Sequence, residues 1–173
     1  CVTPNVLSLP SEPSALLWFR RCGAAALWRR QPELYSACSA GSRFCEDQYR
    51  LDIRHDCARS GTLCESAEQL EELERILLAF AFHSPCVGYC QGMSTIVVTL
   101  LKFCGSSGHH SSKEISHEEL SFFLLVHVVH VLFPTFFGSH LSGINEAHVL
   151  FVTVLEKTEP NVCKKIEALA LEQ

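Results

Sequence analysis

No two of the chain's ten cysteines stand in a C-x-x-C pair; they fall at positions 1, 22, 38, 45, 57, 64, 86, 90, 104 and 163. Structural zinc usually presents such paired knuckles, and disulfide scaffolds are usually shorter and richer in turns, so both readings lose their main support. Most of these thiols sit in apolar periodic segments, where free cysteine behaves as a small hydrophobe, which points to a reducing compartment. Basic excess is missing too. With 14 Lys+Arg against 19 Asp+Glu the formal net charge is -5, which offers nucleic acid no general footprint. The pairs Arg20-Arg21 and Arg29-Arg30 lie on an apolar helical pattern and read as its solvated face. The opening "CVTPNVLSLPSEP" has no initiator Met, basic leader or sustained apolar run, so it reads as the edge of an excised piece and not as a signal peptide. The most apolar stretch, "LSFFLLVHVVHVLFPTFF" from Leu120 to Phe137, holds two histidines and Pro134 and suits a buried helix better than a bilayer span. Alternating strand patterns and internal repeats are also lacking. What is there is 173 residues with 47% hydrophobic content, enough for one core. The expectation is a single all-α, multi-helix domain, cytoplasmic and without a transmembrane segment.

The periodicity predicts a first helix over 14–30 between Pro13 and Pro32, with Leu16, Phe19 and Leu27 inward, and a second over 47–58 with Leu51 and Ile53 inward. Ser66 and Gln69 form a capping box ahead of the stripe Leu70, Leu73, Ile76, Leu77 and Phe80; the other face carries Glu68, Glu71, Glu72 and Glu74 and reads as wet. Residues 92–103 read as a short buried helix whose β-branched residues would also suit a strand. A flexible loop is expected over about 105–115, with His109 and His110 as a solvated tip. Ser116 with Glu119 is a second capping box, opening a helix to about Phe133 that Pro134 stops. Helices over 147–157 and 162–171 follow, separated by Pro160. The run Phe122 to Phe133 needs covering, so the isolated chain is expected to expose apolar surface.

Chemistry has few places to reside. Cys86 and Cys90 flank a turn that His83 precedes, but a cysteine nucleophile needs a base held in space beside it, which spacing does not supply. His127 and His130 share a helix face with no carboxylate in their segment to complete a metal site, so no metal is expected. Two short motifs remain, "IRHDCAR" from Ile53 to Arg59 and "GYCQG" from Gly88 to Gly92. On a helix, Ile53, Asp56 and Arg59 step by three residues, so each turns about 60° from the last. Ile53 can then face the core while Arg59 emerges near the helix end, with Asp56 placed to orient the guanidinium. In the second motif Tyr89 can anchor the loop, Gly88 and Gly92 allow close backbone approach, and Gln91 is presented outward. A glutamine amide both donates and accepts, as holding a water requires.

"IRHDCAR" followed 32 residues after its arginine by the glutamine of "GYCQG" (91 minus 59) resembles the TBC domain of Rab GTPase-activating proteins, whose signatures are IxxDxxR and YxQG. The resemblance implies an all-α domain that lends an arginine finger, Arg59, and a glutamine finger, Gln91, in trans to a GTP-bound Rab-family GTPase. Ile53, Asp56, Gly88, Tyr89 and Gly92 support them. It implies no cofactor of the chain's own, since GTP and Mg²⁺ travel with the partner, and recruitment to endomembranes through partners or other domains. The chain departs from the family pattern in three places. Arg59 leads into "SGTLC" where Thr-Phe-Pro is usual, and Ser94 stands where Asn often follows; the family's downstream aromatic-rich segment has no counterpart. The resemblance therefore covers the first half to two-thirds of a TBC domain, incomplete at its C-terminal end. A catalytically inactive module that binds a GTPase or a scaffold is the alternative, and an unrelated thiol or metal protein a further one.

Overall fold

The computed structural model describes residues 14–105, 115–138 and 141–170; most of the loop expected at 105–115, with His109 and His110, lies outside the described residues. These residues form nine α-helices and no strand. They are α1 (Ser14–Cys22), α2 (Ala24–Arg30), α3 (Leu34–Gly41), α4 (Asp47–Ser60), α5 (Ala67–His83), α6 (Met93–Gly105), α7 (His117–His127), α8 (Ser142–Thr158) and α9 (Pro160–Ala170). The all-α expectation holds. None of the described helices is long and apolar enough to cross a membrane.

α7 forms the centre. Every residue from Leu120 to Val129 is buried, and a helix apolar on all sides must be enclosed by others. α5 packs on it with Leu73, Ile76, Leu77 and Phe80, and α6 with Met93, Val97 and Leu101. The serine half of each capping box forms: Ser66 Oγ accepts from the Gln69 N–H and Ser116 Oγ from the Glu119 N–H, each at 3.1 Å, while the Gln69 side chain accepts from the Glu65 N–H and the Glu119 carboxylate from the Trp28 indole. Beyond His127 the chain widens into a π-helical turn, Val128–Leu132, closed by the Phe133 N–H on the Val128 carbonyl at 2.9 Å. Pro134 follows and the helix stops, as predicted.

Other expectations change. The helix expected over 14–30 is two helices, because Gly23 adopts φ 101°, a left-handed value that interrupts the helical ladder. α3 is short and buries only Cys38, so it has no apolar period to announce it. Leu51 faces solvent, 48% exposed, because two residues along a helix turn it about 200° from Ile53. The buried stripe of α4 is Ile53, Asp56, Cys57 and Ser60. α5's acidic face is only partly wet: Glu72 meets His117 at 2.9 Å and Glu74 meets Arg54 at 3.6 Å. Arg75 grips Glu118 with two bonds of 2.8 and 3.0 Å, and Tyr35 donates to the same carboxylate, so α3, α5 and α7 are tied at one point. α6 is helical despite its β-branched residues, and α8 and α9 begin earlier than expected, with Pro160 as the first residue of α9.

The apolar run expected to lack cover is enclosed as far as Val129; the open apolar surface lies elsewhere. Val131, Leu132 and Phe133 are exposed, as are Val149, Leu150 and Phe151 on α8 and Val162 and Ile166 on α9, and only Gly143 of α8 is buried. Exposed apolar residues in this number exceed the single ones usual on a monomer's surface. Produced as these 173 residues, the chain is therefore expected to self-associate at micromolar concentration. Sedimentation across a dilution series checks this, and a monomer with a sharp reversible melt at every concentration would contradict it.

Candidate functional site

The two motifs meet on one carboxylate. Asp56 lies on the buried stripe of α4 and is 4% exposed. One of its oxygens, Oδ1, accepts from the Arg59 guanidinium one turn on; Oδ2 accepts from the Tyr89 hydroxyl and, at 3.3 Å, from the Gly92 N–H. Ile53 is fully buried one turn before Asp56 and fixes the helix against the core. Burial pushes the Asp56 carboxyl up, but the bonds from Tyr89, Arg59 and Gly92 together outweigh it and hold the group below its ordinary value. Burial, then the bond to Asp56, pushes the Tyr89 phenol up, so that hydroxyl keeps its proton and remains a donor.

Arg59 stands in the last turn of α4 with its side chain 65% exposed. α4 does not end in a left-handed glycine there. Gly61 has φ -56°, and the chain runs on into a 3₁₀ turn, Gly61–Leu63. The glutamine turn is built backbone first. Ser84's carbonyl accepts from Val87 and Gly88 N–H at 3.0 and 2.8 Å, and the Cys90 carbonyl accepts from the Met93 N–H at 3.1 Å. Gly88 has φ 62°, and a Cβ there would collide with the Tyr49 ring; Gly92 has φ 93° in open space. Tyr89 is half-buried and Gln91 exposed. A buried bond of 3.0 Å from Ser60 Oγ to Ser94 Oγ joins the residue after Arg59 to the start of α6.

Arg59 and Gln91 thus line one cleft of about 280 Å³ with Asp52, His55, Asp56 and Tyr89. Asp52 and His55 escape a reading by motif, yet both lie seven and four residues before Arg59, the helical spacing that shares its face. A guanidinium can meet an anionic oxygen at this rim and a carboxamide can hold a water beside it.

His83 and Cys90, the pair considered for thiol chemistry, each make another bond. His83 Nδ1 bonds Ser84 Oγ at 2.8 Å, and Cys90 Sγ accepts from the Gly138 N–H at 3.3 Å. Every described cysteine is a free thiol, and no group of three metal-binding side chains occurs among the described residues. Cys86 is exposed, whereas burial, with Glu74 adding, pushes the Cys57 thiol up to about 12, and burial raises Cys104 to about 11. Iodoacetamide is expected to label Cys86 about tenfold or more faster than Cys57 and Cys104, since the thiolate is the reacting form. Peptide mass spectrometry over time reads this, and equal rates in the folded protein would refute it.

An all-helical body that sets this arginine motif and this glutamine motif on one cleft defines a TBC domain. The chain belongs to the Rab-GTPase-TBC domain family, whose model matches residues 22–173. It is similar to Carabin of Mus musculus, 24% identical over 168 residues, 94% of this chain and 35% of that protein. It is also similar to GTPase-activating protein MSB4 of Saccharomyces cerevisiae, 28% identical over 194 residues, 95% of this chain and 36% of that protein. Growth hormone-regulated TBC protein 1 of Homo sapiens is 25% identical over 167 residues, 94% of this chain and 46% of that protein. The chain therefore spans less than half the length of each of these relatives. No solved structure matches it significantly.

Proposed function

We propose that the chain is the finger-bearing part of a domain that accelerates GTP hydrolysis on a Rab-family GTPase in its GTP-bound form. The observation that carries this is the shared anchor: Asp56 holds Arg59, Tyr89 and the Gly92 amide, so one buried group spaces a cation and a neutral amide across a cleft. Phosphoryl transfer to water spreads charge over phosphoryl oxygens and needs an in-line nucleophile, so catalysis is largely charge stabilisation and positioning. Arg59 supplies the charge, and Gln91 orients the water. The chain itself performs no chemistry and brings no cofactor; GTP and Mg²⁺ come with the partner. It acts in the cytoplasm and is recruited to endomembranes through the partner or through other domains.

A hydrolysis screen across GTP-loaded Rab proteins, using the full-length parent chain, tests the reading. Acceleration of at least one Rab is the expected result. Binding to a GTP-loaded Rab with no acceleration of any would replace it with the binding-module reading.

A further inference from the structure

Away from the cleft, one hydroxyl is held from two sides by ionisable rings. Ser84 ends α5 and is 6% exposed. Its Oγ lies 2.8 Å from His83 Nδ1 and 2.7 Å from Nε2 of His130, which the π-helical turn supplies from 46 residues further along the chain. The carbonyl of this same serine closes the glutamine turn on the N–H groups of Val87 and Gly88. The backbone leading into Tyr89 and Gln91 therefore hangs on Ser84, and the Ser84 side chain hangs on two histidines.

A hydroxyl has one proton. Between two neutral imidazoles it donates to the bare nitrogen of one and accepts from the N–H of the other. When both rings are charged, each directs an N–H at the oxygen, the hydroxyl proton loses its acceptor, and two cations face each other with centroids 6.2 Å apart. The rings packed on the pair are aromatic and offer no negative charge, although His130 itself also reaches solvent. His130 stacks on Phe80 at 5.9 Å, and His83 meets Phe122 edge-on at 6.0 Å. Burial, then the neighbouring His130, holds His83 below the ordinary 6.5, and the partial burial of an otherwise exposed ring lowers His130. Among the described residues, titratable groups on the neighbouring elements have settings of their own. His127 of α7 lies toward Gly23 and is also lowered by burial; Tyr35 of α3, which packs on Phe122, donates to Glu118 beside Arg75; Cys86 and Cys90 follow in the turn itself.

We propose that His83, Ser84 and His130 form an acid-sensitive latch that positions the glutamine turn, closed while the imidazoles are neutral and released when they take up protons. Its consequence for hydrolysis rests on the role proposed above for Gln91; the latch itself needs no partner to be observed. The sign follows from the rings. The latched form binds fewer protons than the open one, so closure is complete above the ordinary histidine value and weakens as pH falls through it.

Amide exchange of Val87 and Gly88 in the intact protein, corrected for intrinsic exchange chemistry, reads the latch directly. Between about pH 7.5 and about pH 5.5 protection is expected to fall about tenfold for each ring that titrates on opening. Replacing the pair with His83→Asn and His130→Gln keeps amide groups near the two nitrogens without a titrating ring, and should leave protection high at both values. His130→Ala should leave it low at both. Protection unchanged by acid in the wild type, or the same acid loss in the Asn/Gln pair, overturns the proposal, and the Asn/Gln pair decides the matter if His130→Ala does not fold. With a GTPase that the protein accelerates, the acid fall in rate should also disappear in the Asn/Gln pair. Failure to accelerate any GTPase would count against the proposed function and leave the exchange result standing.

Discussion

Arg59→Ala is expected to lower the accelerated rate of GTP hydrolysis by about 10³ to 10⁵-fold, the range an arginine finger supplies. That corresponds to roughly 4 to 7 kcal/mol of barrier. Affinity for the GTP-loaded partner should change far less, since a contact made mainly in the transition state appears in kcat. The fold should tolerate the change, because the Arg59 side chain is largely exposed. Arg59→Lys should restore little, since an ammonium cannot span two phosphate oxygens as a planar fork does. Gln91→Ala removes the amide proposed to orient the water and should also reduce the rate by orders of magnitude. Because both residues depend on Asp56, the double variant should lose less than the product of the single losses. Single-turnover hydrolysis measures all four variants, and wild-type rates in both alanine variants would refute the finger assignment.

Asp56→Ala should damage both stability and activity, which separates it from Arg59→Ala. It leaves the half-buried Tyr89 hydroxyl and the Gly92 N–H without their acceptor, at a cost of about 2 kcal/mol. For a chain of this size that lowers Tm by roughly 4 to 8 °C. Activity should fall further than the stability loss explains, since the guanidinium and the glutamine turn lose their common anchor. The pH dependence has a definite sign. The Asp56 carboxyl lies below its ordinary value in the folded chain, so its contribution is complete above the unfolded value of 3.8 and is lost as pH falls through the folded one. The anchor is therefore intact across the neutral range, and an Asp56→Ala Tm equal to wild type there would show that the carboxylate holds nothing.

Much of this architecture is legible before any coordinates. Ser66 with Gln69 and Ser116 with Glu119 mark two helix starts because capping is a local bond between residues three apart. The juxtaposition of Arg59 and Gln91 enters through resemblance; their spacing alone carries no distance. What stays hidden depends on conformation or on remote partners. Gly23 breaks a helix through a backbone angle that the apolar rhythm around it does not reveal. Leu51 reads as inward by hydropathy alone, but the face of α4 that is buried is decided by Asp56, Cys57 and Ser60, two of them polar. Asp56 reads as Arg59's neighbour on its own helix; its bonds to Tyr89 and Gly92 come from across the fold. Ser84, His83 and His130 carry no motif, and only the π-helical turn brings the third to the other two.

The site's wiring also bears on how it is made. Its bonds join Asp56 to Tyr89 and Gly92 and Ser60 to Ser94, across separations of 33, 36 and 34 residues. All of them fall within α4, α5, α6 and the turn between, and the helix that encloses these elements, α7, is next in the chain. Loop closure over such separations is modest in entropy, and domains assemble from the N-terminal side during synthesis. Once the π-helical turn has left the ribosome, every residue that sets the cleft is present, and α8 and α9 can emerge onto a site already formed.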